Sequence, residues 1–407
     1  MDKKLHNIVV MGLGYIGLPT ASILATKGHN VLGVDVNESV VNTIKSGKVH
    51  IVEPDLDVLV RSAVNSGNLK ASLKPTEADV FIIAVPTPFK PAGDNPKAPD
   101  TSYVENATES ITRCLKEGDL VVLESTSPVG TTERVYEIIR NKRPELAGKI
   151  YVAHCPERVL PGHIIRELVD NDRIIGGIDT ASTTRAKELY ETFCSGNIYV
   201  TDSRTAELSK LVENSYRDVN IAFANELSMI CGRLKINVWE LIELANRHPR
   251  VNILQPGPGV GGHCIAVDPW FIISATSSDA RLIRTAREVN DSKPHWVIER
   301  IKTKADRFKD PVIGCLGLAY KAGIDDLRES PALEITRYLI SNGIGRVMAC
   351  EPNIINSGFK EFPVYDLQSV LRDSDILVLL VDHKEFKNID KELLKDKVVI
   401  DTRGVWR

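Results

Sequence analysis

Three glycines follow directly on the first apolar run of the chain. The run is NIVVM, and Gly12, Gly14 and Gly17 come after it in the order Gly-x-Gly-x-x-Gly. In a strand–turn–helix unit, the first glycine permits the tight turn and the second lets the backbone approach a pyrophosphate. The third lets the helix pack close to the strand. The alternative is an ordinary strand–turn–helix that holds no ligand.

The second apolar run, NVLGVD, ends in an acid. This residue, Asp35, lies 18 residues beyond Gly17. A carboxylate at this place accepts hydrogen bonds from an adenosine ribose and repels a 2′-phosphate. Strand, glycine loop and acid together predict a dinucleotide-binding domain that takes NAD rather than NADP.

Short apolar runs alternate with helical stretches over the first 200 residues, and the alternation returns after Pro311. Such runs, separated by helices, indicate parallel sheets that are covered on both faces. We expect strands within nine segments: 7–12, 30–35, 79–86, 120–126, 149–156, 311–321, 346–352, 375–382 and 397–404.

Residues 203–235 interrupt this alternation and predict one long helix, because they hold no Pro and no Gly before Gly232. The stretch is apolar on more than one side, so we expect it to be buried, against a second subunit. A further helix is predicted within 278–304. The fold class is therefore α/β, with two Rossmann-like doubly wound domains joined by a long central helix. The predicted domains are 1–202 for NAD binding, 203–305 for a central helical and dimerisation domain with the cysteine loop, and 306–407 for the second Rossmann-like domain.

The composition excludes several classes of protein. The net charge is −3, from 51 basic and 54 acidic residues, so nothing points to nucleic acid or an anionic membrane. No apolar run approaches the roughly 20 residues that span a bilayer. The N-terminal run leads into the glycine loop without a cleavage site, which predicts a strand rather than a signal peptide. Seven scattered cysteines without a Cys-x-x-Cys pair argue against a disulfide framework or a metal site, and favour the cytoplasm.

Three polar residues recur along the long helix. Lys210, Asn214 and Arg217 have the spacing i, i+4, i+7, which places them on one face. A solvated stripe is the usual explanation of such a pattern. The surrounding apolar residues favour a pocket that holds an anion or an oxyanion. Both interpretations stay open on these residues alone.

One cysteine has an unusual setting. Cys264 lies in GPGVGGHCIAVDPWF, where Gly259, Gly261 and Gly262 lack side chains and would let a ligand approach the backbone. Near a lysine, such a thiol could be held as the nucleophilic thiolate. A single cysteine is more often a small core residue, and Cys155 is the nearest rival as a nucleophile.

Two further sets of charged residues follow predicted strands. Glu157 and Arg158 lie in HCPERVLPG (154–162), at a strand end where ligands sit in such sheets. A surface ion pair is the alternative. In the second domain several polar and cationic residues suit a phosphorylated ligand, although by themselves a solvated face explains them better: Tyr320, Lys321, Arg328 and Arg403.

Taken together, the chain resembles the nucleotide-sugar 6-dehydrogenase family, which includes the UDP-glucose dehydrogenases, over nearly its whole length. The motifs occur in the family's order: GLGYIGLP, VPTP, ESTSPVGT, CPER, ELSKLVENSYRDVNIAFANE, GVGGHC, GLAYK with DDLRESPA, and DTRG.

This resemblance implies a reaction. Members of the family oxidise C6 of a UDP-sugar twice, from alcohol through aldehyde to carboxylate, with two NAD and no metal. Cys264 would attack the aldehyde, and the thiohemiacetal would become a thioester that water hydrolyses. Lys210 and Asn214 would stabilise the oxyanion, and Lys210 would also transfer protons. The remaining catalytic roles implied are Glu157 with Thr126 for the water and Asp268 for proton movement near the thiol.

The resemblance also implies binding residues. In addition to the three glycines and Asp35, the expected NAD contacts are Tyr15, Ile16, Thr87, Thr126 and Arg328. The expected contacts with the UDP-sugar, whose nucleotide the second domain would bind, are Arg158, Val159, Lys210, Asn214, Arg217, His248, Arg250, Gly261, Tyr320, Lys321 and Arg403.

Within the family, the segments 246–254 and 257–272 favour UDP-N-acetyl-D-mannosamine as the sugar. UDP-glucose members usually have a lysine directly before the aspartate that follows the cysteine, and here Val267 stands in its place. UDP-N-acetylglucosamine and UDP-glucose remain alternative substrates, and a non-catalytic sensor of NAD or UDP-sugar remains an alternative class. The product would be a uronic acid for surface polysaccharide. We also expect a homodimer formed through the long helix, with Arg250 reaching the partner's site.

Overall fold

The computed structural model describes residues 6–90, 97–160, 162–354 and 359–407. Pro161, which belongs to the HCPERVLPG segment, lies outside the described residues, as do residues 1–5 of the predicted first domain. The chain divides into two compact units, Met1–Val212 and Glu213–Arg407.

The first unit alternates strands and helices along the chain. Its strands are β1 (Asn7–Met11), β2 (Asn30–Val34), β3 (Leu69–Ser72), β4 (Val80–Ile83), β5 (Leu120–Leu123), β6 (Tyr151–His154), β7 (Arg173–Gly177) and β8 (Ile198–Asp202). Its helices are α1 (Gly17–Thr26), α2 (Glu38–Lys45), α3 (Leu56–Asn65), α4 (Ser102–Ile111), α5 (Thr131–Lys142), α6 (Ile164–Asp170) and α7 (Thr180–Tyr190).

The eight strands form one sheet in the order β3-β2-β1-β4-β5-β6-β7-β8. All neighbours are parallel except β6 and β7, which pair antiparallel through Ala153 and His154. Side chains along β1 alternate between two cores: Ile8 and Val10 belong to one cluster, and Val9 and Met11 to another. Because both faces are covered, the strands read as continuous apolar runs. The order of the first six strands is that of a dinucleotide-binding sheet, which confirms the expected fold of this part.

Three of these strands have no counterpart among the sequence predictions. β3 is an edge strand of four residues, LKAS, with an exposed lysine, and β7 contains two glycines in RIIGG. β8 is also an edge strand, and Tyr199 and Val200 on it are exposed. Short, polar or glycine-containing strands lack the apolar run by which strands are predicted from sequence.

The long helix predicted between the two sheets is present as α8 (Ser203–Leu234). The helices that follow it in the second unit are α9 (Val238–Ala245), α10 (Asp268–Ala275), α11 (Arg281–Ala305), α12 (Pro331–Ser341), α13 (Leu367–Asp373) and α14 (Lys384–Lys387). Its strands are β9 (Val312–Leu316), β10 (Arg346–Cys350), β11 (Ile376–Leu379) and β12 (Val398–Asp401).

The second sheet is smaller and wholly parallel, in the order β10-β9-β11-β12. Ile376 and Val378 of β11 point into one core, while Leu377 and Leu379 point into another. A parallel sheet buried on both faces is the doubly wound arrangement that the sequence predicts. The expected α/β fold with two Rossmann-like domains and a long central helix is confirmed.

The long helix α8 is not buried throughout within this chain. In the second unit Tyr216, Phe223, Ile230 and Leu234 are 72%, 52%, 45% and 64% exposed. The expected burial therefore does not come from the chain itself, and the exposed apolar residues are what a second subunit would cover. Neither α8 nor any other helix in the described ranges is long and apolar enough to cross a membrane.

Candidate active site

The three glycines of the first turn serve different ends. Gly12 has φ +90, and a Cβ there would lie 2.7 Å from the carbonyl oxygen of Ala84. A Cβ on Gly17 would lie 1.9 Å from the carbonyl oxygen of Gly12, so the helix start requires a glycine. A Cβ on Gly14 would meet nothing within 4 Å. The chain's own packing explains Gly12 and Gly17, whereas Gly14 keeps its surface open to a ligand.

Asp35 is fixed beside this turn at the end of β2. Its Oδ2 accepts a hydrogen bond from the backbone N–H of Leu13 at 3.0 Å, and its Oδ1 accepts one from Asn37 at 2.9 Å. The side chain remains half-buried. An oriented, solvent-accessible carboxylate next to the glycine turn fits the ribose of a dinucleotide, so the residues present fit NAD.

The ends of β4 and β5 are joined beyond the glycine turn. Thr87 donates from Oγ1 to the carbonyl oxygen of Thr126 at 2.6 Å, and Ser125 donates from Oγ to that of Val85 at 2.6 Å. Two residues expected to contact NAD, Thr87 and Thr126, therefore lie together at the carboxyl edge of the sheet. Tyr15, in the glycine turn, is 42% exposed, and the neighbouring Ile16 is half-buried.

The loop that carries Thr126 is held by a buried carboxylate. Glu207 accepts hydrogen bonds from the backbone N–H of Gly130 at 2.6 Å and of Thr132 at 2.7 Å, and from the Thr132 hydroxyl at 2.6 Å. It thus satisfies N–H groups at the start of α5, where a carboxylate also favours the helix dipole.

Glu157 does not form the surface ion pair that was one interpretation of its motif. It is buried, and its Oε2 lies 3.1 Å from Nη1 of Arg173, which is itself 3% exposed. Its Oε1 accepts from the backbone N–H of Arg158 at 2.7 Å. The Arg158 side chain donates to the carbonyl oxygen of Asp172, and Val159 packs on the core. A buried carboxylate with a partner on each of its two oxygens is held in one orientation.

A second carboxylate shares this environment. Glu124 accepts from the Tyr190 hydroxyl at 2.5 Å and from Thr20 at 3.3 Å. Burial, and then the negative charge of Glu157, raise its pKa to about 7, although Arg173 acts in the opposite direction. Arg173 thus acts on both carboxylates, and Glu124 takes up a proton as the pH falls through about 7.

The cysteines differ sharply in accessibility. Cys264 is exposed, Cys194 is half-buried, and the other five are buried, each with a reduced thiol. Burial raises the pKa of Cys155, the rival nucleophile, to about 12. A thiol that does not ionise near pH 7 is a poor nucleophile, so accessibility favours Cys264.

Cys264 lies one turn before a buried pair of polar side chains. The carbonyl oxygen of Cys264 accepts from the backbone N–H of Val267 and of Asp268, which begins α10. Asp268 is 4% exposed and accepts a hydrogen bond from Nδ2 of Asn214 at 2.6 Å. The structure therefore brings together three of the residues that sequence reasoning selected: Cys264, Asp268 and Asn214.

The glycines before Cys264 have a different role from the one expected. A Cβ on Gly261 would lie 2.3 Å from the carbonyl oxygen of Glu329, and one on Gly259 would lie 2.9 Å from Pro331. A Cβ on Gly262 would lie 2.8 Å from the Tyr320 ring. The expectation that the missing side chains leave room for a ligand is wrong, because other residues of the chain fill the space that a Cβ would occupy. The close packing holds the loop against Tyr320 instead.

Cations gather at the carboxyl edge of the second sheet. Arg403 donates from Nε to Asp382 at 3.0 Å and lines a cleft with Lys321, Tyr320 and Gly259. Arg328 pairs with Asp326 through two prongs, Nε–Oδ1 at 2.8 Å and Nη2–Oδ2 at 2.6 Å. The edge keeps an exposed Lys321 and a fixed Arg403 for an anion.

Other expected site residues lie on α8 and in the loop after α9. Lys210 is half-buried and Arg217 exposed on α8, and His248 and Arg250 lie in an exposed loop after α9. The Nδ1 atom of His248 accepts from the backbone N–H of Arg250 at 3.3 Å.

Several residues that shape the site escaped sequence reasoning. They act through partners distant in sequence, so no local motif reveals them: Glu124, Arg173, Tyr190, Glu207 and Asp382. The only available signal was that Glu124 opens the ESTSPVGT segment and that Asp382 ends a predicted strand.

Three family models match the chain in succession. They are the NAD binding domain, the central domain and the UDP binding domain of the UDP-glucose/GDP-mannose dehydrogenase family, over residues 6–194, 204–292 and 314–407. Together they extend over most of the sequence.

Individual proteins match over nearly their whole length. The chain is 57% identical to the NDP-N-acetyl-D-galactosaminuronic acid dehydrogenase of Ralstonia nicotianae, covering 100% of this chain and 97% of that protein. It is 54% identical to the UDP-N-acetyl-D-mannosamine dehydrogenase of Escherichia coli K12, covering 98% and 99%. The solved UDP-N-acetyl-mannosamine dehydrogenase of Pyrococcus horikoshii matches with a TM-score of 0.87 at 40% identity, covering 98% and 96%.

Proposed function

The chain belongs to the UDP-glucose/GDP-mannose dehydrogenase family and is an NAD-dependent dehydrogenase, and from this premise we propose that it oxidises C6 of UDP-N-acetyl-D-mannosamine twice, to the uronate. The observation that carries the proposal is the grouping of an exposed cysteine, Cys264, with the buried Asn214–Asp268 pair. This group combines an accessible nucleophile with fixed polar side chains.

Cys264 carries the covalent chemistry. NAD, when bound, would accept a hydride from C6 of the sugar in each of the two oxidations. The Cys264 thiolate adds to the C6 aldehyde and forms a C–S bond. Loss of the second hydrogen from C6 leaves a thioester, and water then cleaves the C–S bond to release the carboxylate and the thiol. The overall reaction consumes one water and two NAD per sugar.

Asn214 and Asp268 act on the oxygen and the protons of this reaction. The amide of Asn214 donates to Asp268, so its orientation is fixed before substrate binds. A preorganised donor stabilises an alkoxide at C6 without reorganisation. Asp268, which is buried at the start of α10, accepts a proton near the Cys264 thiol.

Lys210, Glu157 and Thr126 complete the proposed catalytic group. Lys210 supplies a positive charge for the oxyanion and a path for protons. Glu157, held by Arg173, is an oriented base for the water of thioester hydrolysis, and Thr126 assists it. Arg173 acts as a positioning residue, since it fixes the orientation of Glu157.

The proposed NAD contacts follow the turn described above. Gly12, Gly14 and Gly17 shape the loop, Asp35 receives the ribose, and further contacts come from Tyr15, Ile16, Thr87, Thr126 and Arg328. The proposed UDP-sugar contacts are Arg158, Val159, Arg217, His248, Arg250, Gly261, Tyr320, Lys321 and Arg403, together with Lys210 and Asn214.

The sugar has two candidate identities. The name of the Escherichia coli relative and the absence of a lysine at Val267 support N-acetylmannosamine. The name of the Ralstonia nicotianae relative supports a second candidate, the N-acetylgalactosamine sugar. The N-acetylmannosamine assignment is preferred because the segments 246–254 and 257–272 favour it.

We also propose the wider setting. The three functional parts are residues 1–202, 203–305 and 306–407, the enzyme acts in the cytoplasm, and it forms a homodimer in which Arg250 reaches the partner's site. The product serves surface polysaccharide synthesis.

The decisive measurement is the number of NADH formed per UDP-N-acetyl-D-mannosamine consumed. We expect two NADH and the uronate. One NADH with an aldehyde product would overturn the double oxidation, and binding without NADH would indicate a sensor.

Cys264→Ala should abolish acid formation while NAD still binds, and Cys194→Ala, which removes a half-buried thiol, is the matched control.

A panel of UDP-sugars tests the substrate separately. The enzyme is offered UDP-N-acetylmannosamine, UDP-N-acetylgalactosamine, UDP-N-acetylglucosamine and UDP-glucose under identical conditions. The highest kcat/KM is expected for the first. A preference for any other sugar would replace the sugar assignment but would leave the Cys264 chemistry intact.

A further inference from the structure

A cavity of about 190 Å³ lies in the second unit, outside the residues assigned above. Its walls come from the last turns of α8, residues 236–239 at the start of α9, residues 256–257, α11 and the end of β12. Two tryptophans, Trp239 and Trp296, form part of the lining. It shares no lining residue with the cleft at Lys321 and Arg403, so the two are separate places on the chain.

A lysine lies at the base of this cavity. Lys293 is only 2% exposed, and its Nζ lies 4.0 Å from the centroid of the Trp296 ring. The ammonium donates to the hydroxyl of Ser228 and, at 3.4 Å, to the carbonyl oxygen of Asn225. Both acceptors are neutral. A buried ammonium without an anionic partner is costly to maintain.

An arginine lies at the mouth of the same cavity. The guanidinium carbon of Arg300 is 4.7 Å from the Trp296 centroid, and the residue is exposed. Lys293, Trp296 and Arg300 therefore follow one face of α11, from buried to half-buried to exposed. Across the described residues, neither cation has a carboxylate oxygen within the 4.0 Å of an ion pair.

The one carboxylate in the lining does not compensate this charge. Asp401 uses its Oδ1 to accept from the backbone N–H of Arg403 at 2.8 Å and of Gly404 at 2.7 Å. Its Oδ2 accepts from Trp406 at 2.8 Å. The carboxylate thus organises the turn after β12, and two cations converge on the cavity without a counter-ion from the described chain.

We propose that this cavity binds a phosphate dianion through Lys293 and Arg300. Arg300 has five N–H donors at the mouth, and Lys293 has a third N–H at the base. Two cations suit a doubly charged oxyanion better than a monocarboxylate. The Trp296 ring, which both cations contact, provides a flat apolar wall of the cavity. Free phosphate and the phosphoryl group of a small sugar phosphate share the chemistry that the site would recognise.

Proton uptake gives this site a signature. Burial, and then the charge of Arg300, lower the pKa of Lys293 to about 7. The other titratable groups facing the cavity are Cys231 on α8 and Asp401 at the end of β12. A bound dianion favours the charged ammonium, so binding at pH 8 takes up a fraction of a proton, and affinity falls as the pH rises through 7 to 9.

Calorimetric titration of the full chain with inorganic phosphate tests the proposal. The titration is run at saturating UDP and NAD, so that the family's own nucleotide sites are filled, and in two buffers of different ionisation enthalpy. We expect one phosphate per chain, with proton uptake at pH 8. Absence of binding under these conditions, or binding without proton uptake, would overturn the proposal.

Three variants locate the phosphate. Lys293→Met and Arg300→Met should each weaken binding at least tenfold, and the first should also abolish proton uptake. Lys304→Met, a change on the same helix outside the lining, should leave binding unchanged. Because Arg300 is exposed, we expect its variant to fold, so the proposal can still be tested if Lys293→Met does not fold. Equal affinity in the Arg300→Met and Lys304→Met proteins would overturn the assignment.

A second titrant distinguishes the sources of the phosphoryl group. Glucose 6-phosphate replaces inorganic phosphate in the same titrations. Tighter binding that depends on Arg300 identifies a sugar phosphate as the ligand. Binding that is equal or weaker, with inorganic phosphate still dependent on Arg300, identifies free phosphate.

Discussion

Gly14 and Gly17 occupy the same turn but answer to different constraints. A Cβ on Gly17 would lie 1.9 Å from a backbone oxygen, whereas one on Gly14 would meet nothing within 4 Å. We predict that Gly14→Ala unfolds at nearly the wild-type urea concentration but binds NAD about tenfold more weakly or worse, because the methyl group would occupy the pyrophosphate approach. Isothermal titration with NAD and urea unfolding measure the two properties.

Gly17→Ala is the matched comparison. It should lower the free energy of unfolding by several kcal/mol, on the order of the 1–3 kcal/mol or more that overpacking costs. If Gly14→Ala were equally destabilising, or bound NAD as well as the wild type, the assignment of Gly14 to the cofactor would be lost.

Residue accessibility also separates the two candidate nucleophiles. Sequence alone left Cys155 as a rival of Cys264, because both follow distinctive motifs. The fold buries Cys155 beside Glu124 and Glu157, where a thiolate would be a third negative charge. Burial is the main cause of the raised pKa, and Glu124, which is distant in sequence, adds to it. Neither could be predicted from the motif around Cys155.

At the scale of elements, the two sheets begin with the same turn. In the first, Leu13 donates to Asp35 at 3.0 Å, and in the second Leu318 donates to Glu351 at 2.7 Å. Glu351 is fully buried, and its Oε2 also lies 3.0 Å from Nε2 of His383. The second turn therefore has the hydrogen-bonding pattern of a nucleotide loop, but its buried Glu351 is not accessible to a ribose. This explains why the first sheet, and not the second, belongs to the NAD binding domain.

The elements that sequence predicts well are those with a long apolar run or a long helical pattern. The segment 79–86 yields Val80–Ile83, and 203–235 yields the helix Ser203–Leu234. The edge strand Ile198–Asp202 could not be found this way, since pairing with β7 rather than burial defines it. Contacts such as Asn214–Asp268 join distant segments, and only the fold brings them together.

Glu207 shows how one element positions another. It receives three hydrogen bonds at the start of α5. We predict that Glu207→Ala lowers the free energy of unfolding of the first unit by about 3 kcal/mol, because buried N–H groups lose their acceptor. Glu207→Gln should restore part of this loss. Urea unfolding followed by circular dichroism measures the effect.

The control for this change lies in α5, the helix whose start Glu207 caps. Glu133 of α5 makes an exposed ion pair with Arg204, so Glu133→Ala should alter the free energy of unfolding by less than about 1 kcal/mol. If both variants lost a comparable free energy of unfolding, the Glu207 hydrogen bonds to Gly130 and Thr132 would stabilise the protein no more than an exposed ion pair does.

At the scale of the whole molecule, the exposed side of α8 predicts the assembly. Tyr216, Phe223 and Ile230 recur every seventh residue, and Leu234 follows on the same face. At about 100° per residue, Asn214 lies roughly 160° around the helix from Tyr216 and Leu234. The proposed seam for a partner and the proposed catalytic face are therefore opposite sides of one helix, so a dimer can form through this seam without covering Asn214.

Phe223→Asp places a charge in the middle of this seam. We predict that it weakens dimerisation by about a hundredfold or more. Burying the aromatic ring contributes roughly 1.5–3 kcal/mol per side chain, and the aspartate loses this contribution and also places a charge in the interface. Light scattering after size exclusion should give the monomer mass at micromolar protein. Leu393→Asp, at another apolar residue of 48% exposure, should stay dimeric. Turnover should fall with the dimer if Arg250 completes the partner's site, whereas a fully active monomer would place that arginine in its own subunit.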